Sequence, residues 1–147
     1  QSCHCLLIFV KESLGKISFT TDLWSDPDLA PFMAVTAHWI QALMVETSAG
    51  PKHVLKLRAD LIGFHCVPGR HTGQHLSQAF LFLLDRLKIT YKVRLMLDNH
   101  IEFEQIYVQI GWITMDNASN NDTFIAALEQ ELTRRQIAFD AIKRRIR

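Results

Sequence analysis

The sequence predicts an α/β fold, with a mixed sheet built from elements in the order β-β-β-α-β-α. Three observations predict it: early runs that alternate apolar with polar residues, two later stretches with apolar residues at helical spacing, and a strand-like run between those stretches. A period of two indicates strands, and a spacing of three and four indicates helices. A chain of 147 residues is long enough for one domain with its own core.

Three strands are predicted in the first half of the chain, over residues 17–23, 33–40 and 54–66. In the third, Leu55 and Leu57 alternate with Lys56 and Arg58, as in a strand with one solvated face. Turn-forming residues separate the runs, at positions 26–28 and 48–51. Short links between consecutive strands favour an antiparallel meander.

Two helices and a fourth strand follow. Thr72 is a suitable cap for a helix that ends near Leu87, and Asn120 or Asn121 for a helix with Asp122 in its first turn. The apolar stripes comprise Leu76, Phe80, Leu83, Leu84 and Leu87 in the first helix and Phe124, Leu128 and Leu132 in the second. The strand at 110–115 follows a helix and is expected to pair in parallel with the first strand. The arrangement is ribonuclease H-like, and the chain is predicted to end before a fifth strand.

Two aspartates mark the ends of the predicted parallel strands. Asp22 ends the first strand and Asp116 the fourth, so parallel pairing would bring both carboxylates to one edge of the sheet. Carboxylates are suitable ligands for Mg²⁺ or Mn²⁺, and paired ions of this kind support phosphoryl transfer. A third acid usually completes such a set, and Glu129 and Glu131 are predicted to point away. The alternative is that both aspartates serve only as turn and cap residues.

Composition limits the classes of function. The formal net charge of +1 makes no case for nucleic-acid binding by itself, although basic residues gather near the C-terminus. The candidate DNA contacts there are Arg134, Arg135, Arg144 and Arg145, with a solvated helix end as the alternative. Three irregularly spaced cysteines do not indicate a disulfide framework, which favours an intracellular location. No apolar run is long enough to span a membrane.

Four segments resemble one family. They are KISFTTDLWSD at 16–26, MAVTAHW at 33–39, LIGFH at 61–65 with GRHTG at 69–73, and WITMDNASNN at 112–121. Together they resemble the catalytic domain of hAT-superfamily DNA transposases of the fungal type, over residues 16–147 with one gap. His71 in the third segment is a candidate DNA contact at a helix start, with a turn histidine packed against the sheet as the alternative.

The resemblance implies a ribonuclease H-like fold and cut-and-paste DNA transposition in the nucleus. It implies that Asp22 and Asp116 are the first two catalytic acids and ligands of Mg²⁺ or Mn²⁺, and that the partner is DNA at transposon ends. The family's zinc finger, third acid and C-terminal oligomerisation region have no counterpart in this chain. The chain is therefore expected to be an inactive fragment. The alternatives are a non-catalytic DNA- or protein-binding domain and a functionless transposon relic.

Two stretches depart from the family pattern. Residues 1–15 are interpreted as an atypical N-terminal extension of a partial domain over 16–147. Residues 93–109 are interpreted as an insertion, because the family's flanking segments usually run on directly. A translated intron is one explanation. The Val93-Arg94 start is compatible with an intron that opens with GT, and the Gln109 end with an intron that closes with CAG. An ordinary loop is the other.

Overall fold

A five-stranded mixed sheet with two helices on one face forms the body of the protein in the computed structural model. The structure describes residues 13–25, 31–67, 72–87, 89–90, 92–94, 104–106, 110–116, 118 and 120–146. In chain order the elements are β1 (Ser13–Ser25), β2 (Pro31–Thr47), β3 (Gly50–Cys66), α1 (Gly73–Arg86), β4 (Lys92–Arg94), β5 (Glu104–Ile106), β6 (Ile110–Thr114), α2 (Asn120–Arg134) and β7 (Arg145–Ile146). The predicted α/β class is confirmed.

The main sheet has the strand order β3-β2-β1-β6-β7. β1, β2 and β3 pair antiparallel in sequence, whereas β6 pairs in parallel with β1, which confirms that prediction. The prediction that the chain ends before a fifth strand is wrong. β7 pairs in parallel with β6, and the Ile113 amide donates to the Arg144 carbonyl at 2.7 Å. A two-residue strand is too short to show alternation, so only its main-chain partners reveal it.

Residues 93–109, predicted to be an insertion, lie outside the main sheet as far as they are described. β4 and β5 pair with each other as a separate two-stranded antiparallel sheet. The intron hypothesis concerns the gene and stays a prediction. The remaining residues of this stretch, and positions 1–12 of the extension, lie outside the described residues.

The hairpin of β2 and β3 is longer than predicted. Its pairing continues to Thr47 and Gly50, whereas the described part of β1, which begins at Ser13, pairs with β2 as far as Gln41. The Thr47 hydroxyl closes the turn by donating to the Gly50 carbonyl at 2.7 Å, and Gly50 has a φ of +104° that favours glycine. We call the end of this hairpin, residues 39–58, the ribbon; its residues 42–55 continue past the described part of β1.

The core lies between the inner face of the sheet and the two helices. Phe80 of α1 packs edge-on against Phe19 of β1 at 5.4 Å and against Phe124 of α2 at 5.7 Å between ring centroids. Thr72 caps α1 as predicted, since its hydroxyl accepts the His75 amide at 3.3 Å. The predicted apolar stripes are confirmed: Leu76, Phe80, Leu83, Leu84, Leu87, Phe124, Leu128 and Leu132 are all buried.

A β-bulge shifts the register between β1 and β6. Ile17 pairs with Ile110 and Phe19 with Ile113, so one residue of β1 faces two of β6. The Ser18 hydroxyl accepts the Trp112 amide at 3.2 Å at this point. A Cβ at Gly111 would lie 2.5 Å from the Ser18 Oγ atom, so only glycine allows this approach. The bulge keeps both Ile110 and Ile113 in the core.

The opposite side of the sheet, called the open face below, carries large exposed apolar side chains. Trp24, Phe32 and Phe64 form a ring cluster there, with centroids 5.4 to 6.1 Å apart. Exposed members of this face include Leu14, Trp24, Ile40, Leu55, Leu57, Leu61 and Phe64. The sheet is therefore apolar on both sides, and only its inner face is covered by the described residues.

Candidate functional site

Asp22 and Asp116 both follow the stretch over which β1 and β6 pair in parallel. The last pair of this register joins Thr20 to Thr114, and each aspartate lies two residues further along its own chain direction. Asp22 lies within β1, which continues to Ser25, whereas β6 ends at Thr114. Both aspartates are exposed. The parallel pairing expected from the sequence is thus confirmed, and the approach of the two carboxylates to each other stays a prediction.

The Asp116 carboxylate is held by the start of α2. Its Oδ1 atom accepts the Asn121 side-chain amide at 2.5 Å and the Ala118 backbone amide at 3.1 Å. The same Asn121 amide nitrogen donates to the Asp116 carbonyl at 2.8 Å. Asp116 therefore acts as a turn residue, which was the alternative to metal binding in the sequence analysis. The buried Asn121 amide fixes the orientation of its carboxylate.

Asn121 is a site residue that sequence reasoning treated only as a possible helix cap. Its side chain is 1% exposed, and its Oδ1 atom is buried without a hydrogen-bond donor among the described residues. A buried polar atom of this kind normally has a partner. The only signal in the sequence was an amide residue five positions after the strand-end aspartate, and asparagine is too common at helix starts for that to be decisive.

The donor set can be compared with the needs of a divalent cation. No cluster of three or more His, Cys, Asp or Glu side chains that could hold a metal occurs within the described ranges. Mg²⁺ needs only one or two carboxylates when waters and substrate phosphates complete its shell. Asp22 and Asp116 could supply these two carboxylates, and the described residues add no third acid to them.

Asp22 also borders the ring cluster of the open face. It pairs across the sheet with Ala34, which in turn pairs with Phe64, so the three residues form one row on that face. Trp24 and Phe32 form the next row. One side of the candidate site is thus a carboxylate edge and the adjoining side is an aromatic surface.

Arg134 and Arg135, predicted as DNA contacts, are engaged in ion pairs at the C-terminal ends of α1 and α2. The Arg135 guanidinium donates to both oxygens of Asp85 at 2.7 and 2.9 Å, and so links the end of α2 to α1. Both arginines also donate to Glu131, at distances of 2.6 to 2.8 Å. Glu131 is committed to this network, and its predicted orientation away from the aspartates stays a prediction.

The hydrogen bonds to Glu131 predict how the stability of the fold depends on pH in acid. Hydrogen bonds from Arg134 and then Arg135 lower the pKa of Glu131 from 4.5 to about 2. Because the folded pKa is depressed, the contribution to stability is present above pH 4.5 and is lost as the pH falls towards 2. As the pH is lowered from 4.5 towards 2, the urea concentration at the unfolding midpoint should fall less steeply in Glu131→Gln than in the wild type. The control Glu46→Gln changes an exposed acid in the ribbon and should retain the wild-type dependence of the urea midpoint on pH. The same dependence in all three proteins would contradict the prediction.

Arg144 and Arg145 fasten the C-terminal segment to the sheet. Arg144 lies over the Trp112 ring, with its guanidinium carbon 5.9 Å from the centroid, and donates to the Ile110 carbonyl at 2.9 Å. Arg145 forms an ion pair with Asp122 in the first turn of α2. Their role as DNA contacts stays a prediction, and His71 lies outside the described residues.

No helix in the part of the chain that the structure describes has both the length and the apolar character needed to cross a membrane.

Known proteins give a limited set of similarities. The chain is 34% identical over 91 residues to the protein named "Putative AC transposase" from Zea mays, a match that covers 61% of this chain. It is 29% identical over 118 residues, or 80% of this chain, to the "Putative transcriptional regulator tpeD" of Talaromyces stipitatus. The chain spans about a tenth of the length of each of these relatives. No family model matches the chain, and neither does any solved structure.

Proposed function

We propose that this chain is a transposon-derived domain of the hAT type with a ribonuclease H-like fold. Its parental activity would be metal-dependent cleavage and transfer of DNA strands, carried out in the nucleus. The observation that carries the proposal is the parallel pairing of β1 with β6, whose last pair, Thr20 with Thr114, lies two residues before Asp22 and Asp116. The similarity to a maize protein named as a transposase supports it independently.

The roles of the residues follow from their positions. Asp22 and Asp116 would hold Mg²⁺ or Mn²⁺, and Asn121 would keep the Asp116 carboxylate in place through its amide hydrogen bond. A bound ion of this kind supplies charge stabilisation for phosphoryl transfer. Because the described residues provide only two carboxylates, we expect this chain to bind the ion without cleaving DNA.

Binding of Mn²⁺ tests the metal site directly. Titration with Mn²⁺ should broaden the amide NMR signals of residues near 20–24 and 114–118 through paramagnetic relaxation. Asp22→Asn and Asp116→Asn should each remove most of this broadening, because each takes away one of two charged ligands. Glu46→Gln changes an exposed acid in the ribbon and should leave it unaltered. Broadening that persists in both aspartate variants would refute the metal site.

A second candidate is a non-catalytic DNA-binding domain. The similarity to a Talaromyces protein named as a transcriptional regulator favours it, because that match covers the larger part of this chain. The two candidates differ in their dependence on the metal. A DNA-binding domain should bind duplex DNA equally well in EDTA and after Asp22→Asn, whereas a transposase-type site should bind DNA more tightly when Mn²⁺ is present.

A further inference from the structure

The ribbon of residues 39–58 has two chemically different faces. Directly opposed residues of an antiparallel pair lie on the same side of a sheet. Leu55 pairs with Ala42 and Leu57 with Ile40, which continues the apolar open face. Residues one position away on β3 point to the other side and differ in character.

That other side carries three cations along β3, at Lys52, Lys56 and Arg58. Their partners on β2 are the uncharged residues Val45, Gln41 and Trp39. We call the side that presents these cations the basic face. Lys52 and Lys56 are exposed, and neither forms an ion pair with another residue that the structure describes. Arg58 forms an ion pair with Asp60 at 3.8 Å. Within the described residues, the charges of Lys52 and Lys56 therefore have no acidic partner, whereas the charge of Arg58 has one.

The dimensions of the basic face suit a regular polyanion. Arg58 lies six positions after Lys52 along the strand, which corresponds to about 20 Å. Each strand of duplex DNA carries one charge per 3.4 Å or so of helix axis. A two-stranded ribbon is also narrow enough for the major groove, which is about 12 Å wide. Lys52 and Lys56 are both exposed, so both side chains can reach a duplex from solvent.

We propose that the basic face of the ribbon binds the phosphate backbone of duplex DNA through Lys52, Lys56 and Arg58. The proposal rests on the proposed function, since it names the surface by which a DNA-acting domain would hold its substrate. Local charge must carry the attraction, because the net charge of the chain is only +1. The C-terminal arginines, in contrast, already bond to Glu131, Asp85, Ile110 and Asp122.

The salt dependence of DNA binding tests this surface. The observed affinity of the whole chain for a short duplex is measured against salt concentration, for the wild type and for Lys52→Gln/Lys56→Gln. Each lost phosphate contact reduces the steepness of the plot of log affinity against log salt concentration by about 0.9. The double variant loses two contacts, so its slope should be smaller in magnitude by about 2. Affinity at 0.1 M salt should fall roughly tenfold or more. The control Arg86→Gln/Lys143→Gln removes the same charge outside the ribbon and should retain the wild-type slope.

The outcomes separate the two proposals. Wild-type binding to DNA with equal slopes in both double variants would overturn the basic face and leave the proposed function intact. Absence of wild-type binding to duplex DNA at low salt would overturn both. Binding to vesicles of anionic phospholipid but not to DNA, lost in the ribbon variant, would assign the basic face to a membrane surface and overturn this inference. Matching circular dichroism spectra verify that the double variants are folded.

Discussion

Replacement of Phe80 by alanine is expected to lower the free energy of unfolding by about 3–5 kcal/mol. Phe80 is fully buried, and its ring contacts Phe19 of β1 and Phe124 of α2 edge-on. It therefore joins the sheet to both helices, and its removal leaves a cavity at their junction. Urea denaturation followed by circular dichroism measures the change. Because many domains are stable by only about 5–15 kcal/mol, the variant is expected to be close to unfolded at 37 °C.

A matched control lies on the same helix. Phe82 has the same side chain, but it is 56% exposed on α1. Phe82→Ala is expected to change the free energy of unfolding by less than about 1 kcal/mol, since most surface substitutions have small effects. Equal losses in Phe80→Ala and Phe82→Ala would contradict the assignment of Phe80 to the junction of sheet and helices.

Replacement of Asn121 by alanine is expected to weaken Mn²⁺ binding by roughly tenfold or more. Residues that orient metal ligands typically contribute 10–100-fold to affinity, and Asn121 is the side-chain donor to the Asp116 carboxylate. The change also leaves the Asp116 carbonyl without its bond from the buried amide, which costs about 1–3 kcal/mol of stability. The affinity is measured from the Mn²⁺ broadening titration, and the stability from urea denaturation.

The neighbouring residue provides the control for this prediction. Asn120 is exposed at the first position of α2 and has the same side chain. Asn120→Ala should leave the Mn²⁺ titration unchanged. An Asn121→Ala protein that folds and binds Mn²⁺ as tightly as the wild type would show that Asp116 does not need this positioning bond.

Local sequence patterns predicted most of the fold because they report on burial. The alternation over residues 17–23 and 33–40 marks the strands with one face in the core, and the stripes of α1 and α2 mark the helix faces that cover it. The pairing of β6 with β1 also followed, since a strand after a helix tends to return in parallel. The short strands β4, β5 and β7 escaped this reasoning because two or three residues are too few to show a pattern. The end of the ribbon near its turn also escaped it.

The distal ribbon escaped because its residues are exposed on both faces. Residues 44–49 show no alternation of burial, so no period of two is visible there. The paired backbone of β2 and β3, rather than a buried face, defines the strands in this region. Isolated two-stranded ribbons are only marginally stable, so attachment to the sheet is what maintains this one.

The sequence by itself determined the α/β class, the core stripes and the two candidate aspartates. These depend on periodicity and on residue type, which are local properties of the chain. Only the tertiary structure decided which groups act together. It assigned a buried amide to Asp116, paired the C-terminal arginines with acids and carbonyls of the same chain, and left the cations of the ribbon exposed. Such contacts join residues far apart in the chain, so no local pattern contains them.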